Sequence, residues 1–422
     1  MTKTTRARAL AGVLATLLLV CSFAPSVAAT ASDAASPAET ERTAATTTAT
    51  TTTTTLTTTL DPVATIEARF DRWLATHGKA YACPKERAKR LAIFADNAEF
   101  VRVHNEAHAA GKKSHWLGLN HLADLTREEF KHMLGYDASK KRVESSSPPV
   151  DAANWEYADV TPPETMDWVS RGAVTPVKNQ GQCGSCWAFS TVGAVEGVVA
   201  VKTGDLISLS EQELVSCAKI GGNNGCKGGL MDNGFEWIVE NRGVDDEEDW
   251  GYLAKDRRCN WFKKRRAKAA SIDGFKDVPR NDEDALKKAV SQQPVAVAIE
   301  ADHREFQLYS GGVFDGECGT NLDHGVLVVG YGYDGESAGH KHYWTVKNSW
   351  GAKWGEEGYI RIARGGMGPA GQCGVAMQAS YPTKSSSAPL EDGDEPTVLD
   401  AALGAVEDVA AWGQERASTV FL

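Results

Sequence analysis

The apolar positions change their rhythm as the chain proceeds. From 61 to 135 they recur at the spacing of one helix face. Ile66, Phe70, Trp73 and Leu74 form a first stripe. A second helix is predicted from about Lys85 to His108, with Leu91, Phe94, Ala98, Val101 and Val103 mainly on one side. This stretch reads as a small helical bundle. From 161 to about 270 the pattern stays helical and loop-rich. Its centre is an apolar run, Trp187 to Val201, which predicts a buried helix just after the turn residues Gly181 and Gly184. From 271 to 382 short apolar runs take over: Val295 to Ile299, Val326 to Val329, Tyr343 to Val346 and Tyr359 to Ile362. These predict strands.

The flanks have a different character. Residues 1–29 read as a secretory signal, with Lys3, Arg6 and Arg8 ahead of the apolar stretch Ala9 to Val20 and a small-residue cleavage site at Val27-Ala28-Ala29. The apolar stretch is short for a membrane span, and no other run is long enough to cross a bilayer. Residues 30–60 are a Thr- and Ala-rich, low-complexity linker or stalk that cannot bury enough apolar surface to fold. The polar stretch 136–160, with Ser145 to Pro149, has linker chemistry. Residues 384–422 hold two basic against eight acidic side chains, and Val398 to Trp412 could form an amphipathic helix.

With 422 residues the chain can hold two or three domains, and its formal charge of −11 argues against nucleic acid as a partner. The basic run Lys263 to Arg266 reads as a solvated loop in acidic surroundings. Secretion permits disulfides. Of nine cysteines, Cys21 leaves with the signal and Cys83 lies in the N-terminal region. The other seven (183, 186, 217, 226, 259, 318 and 373) are an odd set, so one thiol stays free, and spacing alone does not choose the pairs. Cys183 and Cys186 have zinc-ligand spacing, but no matching Cys or His pair follows, so no metal or cofactor is expected.

The free thiol has a candidate. Gln180-Gly-Gln-Cys-Gly-Ser-Cys186-Trp-Ala-Phe-Ser190 puts Cys186 at the start of the predicted helix, where the helix dipole favours the thiolate that covalent catalysis needs. His324 opens an apolar strand after Asp323, and Asn348 lies between two strand-like runs with Trp350 and Trp354 nearby. Together these segments resemble the papain-like cysteine peptidases, the cathepsin L-like branch in particular. The likeness runs from about Phe70 to Pro382. In the N-terminal region Glu86, Arg90, Phe94, Asn97, Val101 and Asn105 match that branch's long helical prosegment motif, with Val101 where Ile is usual. Gly118, Asn120, Leu122 and Asp124 match the short motif after it.

The resemblance implies an α+β fold of two subdomains, one helical and one an antiparallel β-barrel, with Cys186 and His324 on opposite walls of a cleft. Residues 61–160 would be an inhibitory prosegment with its linker, crossing the cleft in reverse direction and cut near Val160 to Pro163. Residues 161–383 would be the peptidase. It implies Cys186 as nucleophile, His324 as base and acid, Asn348 as the group orienting His324, and Gln180 as an oxyanion donor. Trp350 would shield the Asn–His bond. The implied disulfides are 183–226, 217–259 and 318–373. Gly228 and Gly229 would form a strand-like substrate wall. Leu230, Met231, Ala298, Gly325 and Gln378 would line the pocket for the second residue before the cut, favouring apolar side chains over Arg. Glu196 would be structural. Trp250-Gly-Tyr252, where Tyr-Pro-Tyr is more usual, would touch only a surface turn. The expected partners are protein and peptide substrates and the chain's own prosegment. The expected setting is the secretory pathway, ending in a lysosome, a vacuole or outside the cell, as a monomer.

Overall fold

A computed structural model describes residues 65–139, 155–264, 268–335, 341–366 and 368–385. The predicted signal, the Thr-rich segment, the linker prolines, Arg265 and Arg266, and the acidic tail lie outside those residues. The chain falls into two compact units, one ending at Ala88 and one starting at Lys89.

In the first unit, helix α1 (Ile66–His77) starts where the Thr65 hydroxyl accepts the Ala68 N–H at 3.3 Å and stops at Gly78, whose φ of 61° is left-handed. Phe70 and Trp73, one turn apart, stack at 5.7 Å. Arg87 pairs with Asp71.

Helix α2 (Pro84–Ala109) opens the rest of the structure. It buries Phe94, Asn97, Ala98, Val101 and His104, but Val103 is 52% exposed and does not share that face. Two residues on from Val101 is about 200° round a helix, on its opposite side, so Val103 points out. Strand β1 (His115–Leu117) follows, then helix α3 (Arg127–Lys131). Thr126 and Glu129 form a reciprocal capping box at its start. Glu129 also takes Lys89 and Arg90, both at 2.6 Å. Burial works against its charge, but these partners win and hold the carboxyl down at about 2.

The helical half contains β2 (Met166–Asp167), α4 (Cys186–Thr203), α5 (Glu211–Cys217), α6 (Met231–Glu240) and α7 (Trp261–Lys264). Helix α4 is apolar all round and buried over nearly its whole length, so it forms the centre of the molecule. It packs on α6 and, across the middle, on β6 of the other half (His324–Asp334), where the Ser190 hydroxyl donates to the Val326 carbonyl at 2.6 Å. Cys183–Cys226 and Cys217–Cys259 close loops in this half.

The sheet half adds β3 (Gly274–Asp277), β4 (Val295–Ile299), β5 (Tyr309–Phe314), β7 (Lys341–Lys347), β8 (Tyr359–Ala363) and β9 (Ala379–Thr383), with helices α8 (Glu283–Val290) and α9 (Arg304–Gln307). The strand order is β1-β5-β8-β7-β6-β4-β9-β3, and β2 pairs with β6. Strand β1 thus extends the sheet from the N-terminal region. The sheet is not wholly antiparallel as expected: β5 and β8 run parallel, Val313 opposite Arg361 and Phe314 opposite Ile362. The chain can pair them this way because β6 and β7 intervene between them in sequence. Cys318–Cys373 ties this half.

Candidate active site

Cys186 is the first residue of α4, and Gln180 lies on the loop that leads into it. Ser185 makes no side-chain cap there, so the thiol occupies the helix entrance itself. The Cys186 Sγ accepts the backbone N–H of Gly325 at 3.3 Å. Gly325 follows His324 at the start of β6, so this bond fixes the first turn of α4 beside the first residue of the strand. A side chain at Gly325 would be pressed: an added Cβ would lie 3.1 Å from the Met231 sulfur and 3.4 Å from the Cys186 carbonyl.

The His324 ring bonds through Nε2 to the Asn348 Oδ1 at 2.8 Å. Asn348 sits just past β7, and its Oδ1 also accepts the Ser349 N–H at 2.8 Å. That leaves Nδ1 of the ring as the atom without a hydrogen bond among the described residues. With Nε2 committed to Asn348, the tautomer and the plane of the ring are set. Trp350 lies stacked over the ring at 4.7 Å and 25°, and its own ring packs against Phe306 and Trp354. The indole covers the His–Asn bond.

Gln180 is buried and held at both ends of its amide. Its Oε1 accepts the Ser349 hydroxyl at 2.6 Å, and its Nε2 donates to the Cys183 carbonyl at 2.8 Å.

Three comparisons bear on this arrangement. A protein-family description, papain family cysteine protease, matches residues 162–383. The chain belongs to the papain family of cysteine proteases. A second, the cathepsin propeptide inhibitor domain, matches residues 70–130. Oryzain beta chain of Oryza sativa subsp. japonica is 50% identical over 328 residues, covering 77% of this chain and 68% of that one. Cysteine protease XCP2 of Arabidopsis thaliana is 49% identical over 317 residues, covering 75% of this chain and 86% of that one. Among solved structures, digestive procathepsin L 3 of Tenebrio molitor larval midgut superposes with a TM-score of 0.67 at 39% identity, over 76% of this chain and all (100%) of that one. A recombinant stem bromelain precursor gives 0.67 at 39%, covering 76% and 99%. The protein is thus a cysteine-type peptidase of papain-like α+β fold that carries an inhibitory propeptide.

The segment that follows the matched propeptide domain reaches the papain-family centre through its backbone. Gly135 N–H donates to Cys186 Sγ at 3.2 Å, and the Met133 carbonyl accepts the Gln180 Nε2 at 2.7 Å. A side chain at Gly135 has no room, because a Cβ there would lie 1.9 Å from the Gly184 carbonyl oxygen. The segment pairs with Gly229, whose N–H donates to the Gly135 carbonyl at 2.9 Å. Tyr136 and Gly229 form a parallel bridge. Gly228 precedes it with a left-handed φ of 98°.

This cover changes the electrostatics expected from the helix entrance. Cys186 and His324 are fully buried. Burial pushes the Cys186 thiol up to about 11, against the Gly325 and Gly135 N–H donors. Burial likewise drives His324 down to about 4, against its bond to Asn348. Desolvation thus favours the uncharged form of both groups in the covered state, against their hydrogen-bond partners.

Leu230, Met231 and Gln378 line one small cavity together with Tyr136, Asp232 and Ser380. Ala298 and Gly325 face each other across β4 and β6, and the Ala298 N–H donates to the Gln378 carbonyl at 3.0 Å. Of the residues predicted for the substrate pocket, Leu230, Met231 and Gln378 share that cavity, and Gly325, opposite Ala298, approaches the Met231 sulfur. The buried Asp232, which takes the Ser380 hydroxyl at 2.6 Å, was missed. Its signal was only its place directly after Met231.

Tyr252 is a correction. Its hydroxyl bonds to Ser185 Oγ at 2.6 Å and donates to the Gln180 carbonyl at 2.9 Å, so it braces the loop before Cys186 rather than a surface turn alone. Glu196 sits in an ion-pair network: it takes the Thr175 hydroxyl at 2.7 Å, the Leu209 N–H at 2.9 Å and Lys178 at 3.2 Å.

Proposed function

We propose that this papain-family protease is a secretory-pathway endopeptidase in which Cys186, His324, Asn348 and Gln180 carry out peptide hydrolysis through a thioester. The observation that carries the reading is the contact at Met133: a peptide carbonyl accepts the Gln180 amide while the next backbone N–H but one sits on the Cys186 sulfur. A substrate carbonyl in that position would lie between nucleophile and oxyanion donor.

With the propeptide gone, water reaches the pair and the desolvation that favours its uncharged form is relieved. Cys186 then attacks the carbonyl carbon as a thiolate, the carbonyl electrons move onto oxygen, and the Gln180 amide and the Cys186 N–H hold the oxyanion. His324, as imidazolium, protonates the leaving amine through Nδ1. As the thioester forms it becomes the neutral base that takes a proton from water for deacylation. Asn348 keeps the ring in plane, and Trp350 keeps water off their bond.

Residues 161–383 form the peptidase in this reading and 61–160 the propeptide with its linker. The cut falls near Val160 to Pro163, after a signal at 1–29. Three disulfides, Cys183–Cys226, Cys217–Cys259 and Cys318–Cys373, suit an oxidising compartment. That supports the secretory route, to a lysosome, a vacuole or the exterior. No paired-His insertion lies between Cys217 and Gly228, which favours internal cleavage. Leu230, Met231, Ala298, Gly325 and the uncharged Gln378 favour an apolar residue second before the cut. Asp232 in the same cavity supports a second reading, acceptance of Arg, if a substrate cation displaces the Ser380 hydroxyl from it.

The first test is an epoxide or iodoacetamide probe on acid-matured protein, mapped by mass spectrometry beside cleavage of Leu- and Arg-bearing fluorogenic peptides. Stoichiometric labelling at Cys186 with loss of cleavage is expected. Folded, matured protein that labels without turnover would sink the hydrolytic reading. The Leu peptide should be cut at least about tenfold faster than the Arg peptide, the scale of a poor pocket fit. Equal rates that become unequal in Asp232→Asn would assign the Arg acceptance to that carboxylate.

A further inference from the structure

The propeptide and the peptidase meet a second time, away from the thiol, around two buried imidazoles. His104 lies on α2 and His115 on β1, both from the propeptide, while Glu305 on α9 and Asp315 just past β5 belong to the peptidase. The His104 Nδ1 is 3.5 Å from Glu305 Oε1, and the His115 Nε2 is 3.3 Å from Glu305 Oε2. One ligand atom from each of His104, His115 and Glu305 lies within 4.8 Å of the others. The His115 side chain is 0% exposed, yet neither ring nitrogen makes a hydrogen bond of good geometry, and neither does Glu305 Oε2. A buried polar ring between two carboxylates is costly unless a bound cation, a metal or a proton, completes it.

We propose that His104, His115 and Glu305 bind a divalent transition metal, zinc in particular, and that this metal pins the propeptide to the peptidase until activation. Zinc bonds of ~2.0–2.1 Å at tetrahedral angles separate ligand atoms by roughly 3.3–3.4 Å; His104 Nδ1 lies 3.5 Å from Glu305 Oε1 and His115 Nε2 3.3 Å from Oε2, so each imidazole is near that edge from a different oxygen, and a small turn of the carboxylate or its binding through both oxygens brings it between them. The outer contacts also suit a metal. His104 Nε2 sits 3.1 Å from the His115 carbonyl oxygen, so it can donate there and leave Nδ1 as a lone-pair donor facing Glu305. His115 Nδ1 faces Asp315 Oδ1 at 3.5 Å, which leaves Nε2 facing inward. Ligating histidines are held in this way, by a carbonyl or a carboxylate behind the ring.

One group competes. Lys113 Nζ lies 3.1 Å from Glu305 Oε1, but its side chain is 36% exposed and can turn to solvent when the metal enters. Lys341 pairs with Asp315 on the far side and need not move. Without a metal, the alternative occupant is a proton on His115. Burial opposes that charge, but Asp315 and Glu305 outweigh it and raise the pKa.

The consequence follows from which chain segment supplies each ligand. Cutting the propeptide away removes both imidazoles and leaves Glu305 alone, so the mature enzyme has no such site. A ligand that binds only the docked state stabilises it by mass action. The inference rests on the inhibitory role of the propeptide but not on any particular substrate.

The test uses full-length zymogen carrying Cys186→Ala, so that no self-cleavage intervenes and the reactive thiol cannot bind metal. Zinc is titrated against a chromophoric chelator, and cobalt(II) is used to read the ligand field. One zinc per zymogen is expected, with tetrahedral cobalt bands, and none at this affinity on the matured domain. His104→Gln and Glu305→Gln should each weaken binding more than about tenfold, and Asp315→Asn by about tenfold. In the active zymogen, zinc added before acidification should slow self-processing in the wild type and leave His104→Gln unaffected. Zymogen that binds no more zinc than matured enzyme, or variants that bind as well as wild type, would overturn the site. Tight binding with unchanged processing would overturn the lock. A metal-free zymogen that does not self-process points instead to failure of the propeptide reading.

Discussion

In the proposed division of the chain, the propeptide holds the peptidase at a centre and along a flank, and the two regions use opposite chemistry. At the centre the contacts are backbone on backbone: Gly135 N–H on Cys186, the Met133 carbonyl on Gln180, Gly229 with Gly135. The groups there are buried, and burial favours their uncharged forms. Along the flank the contacts are charges. Asp302 takes Arg127 at 2.8 Å and Lys131 at 2.5 Å, and Arg304 reaches Asp96 at 2.6 Å. The centre blocks by shape and hydrogen bonding. The flank decides how firmly the block stays in place at a given pH.

The largest test of that contrast is at the centre. Gln180→Ala should lower kcat by about a hundredfold in matured enzyme, the loss of one oxyanion donor. It should also loosen the propeptide, since one amide serves both. Steady-state rates and inhibition by added propeptide peptide check both halves. An unchanged inhibition constant would separate them.

Gly135→Val comes next. Its Cβ would collide with the Gly184 carbonyl oxygen, and overpacking of that kind costs ~1–3 kcal/mol. Inhibition should weaken by about ten- to a hundredfold, with no effect on the catalytic rate after maturation. A propeptide peptide carrying the change, assayed against wild-type enzyme, gives the comparison directly.

The flank should give the smallest effect, but the one that depends on pH. Asp302 faces Arg127 and Lys131 from the propeptide and His303 and Glu300 from its own loop. Burial raises its pKa, but Lys131 and Arg127 outweigh that and hold it below the usual carboxylate range. A carboxyl depressed in the docked state stabilises docking above its free pKa, and that help is lost as pH falls through the docked value. Self-release should therefore quicken only below about pH 4, where free aspartate titrates. Asp302→Asn removes the help at every pH. It should speed release several-fold near pH 5, about 1 kcal/mol for exposed partners, and flatten the profile below. An unchanged profile, or a Cys186→Ala zymogen that matures alone in acid, would reject the scheme.

The legibility of the sequence divides along similar lines. Local grammar carried the elements: α4 was readable because an all-apolar run follows a glycine turn, and β4 because five apolar residues stand together. Strand β5 was missed because Gly311 and Gly312 break its pattern, and β9 because Pro382 does. The parallel β5–β8 pairing depends on what lies between them in space, which no window reveals. At the site, Cys186, His324 and Asn348 announced themselves through motif context. Gly135 did not, since a glycine needed for close approach looks like any turn glycine until its neighbour is known. Tyr252 and Asp232 were undervalued for the same reason, because their partners, Gln180 and Ser380, are distant in sequence.

The meeting of Gly135 with Gly184 sets a limit on how inhibition can change over generations. Gly135 meets a bare backbone there and offers no graded series of alternatives: the smallest side chain already closes the gap. A lineage that needs a slower or faster zymogen must leave that contact alone and adjust the charged flank instead, where each exchange shifts the balance by a small step.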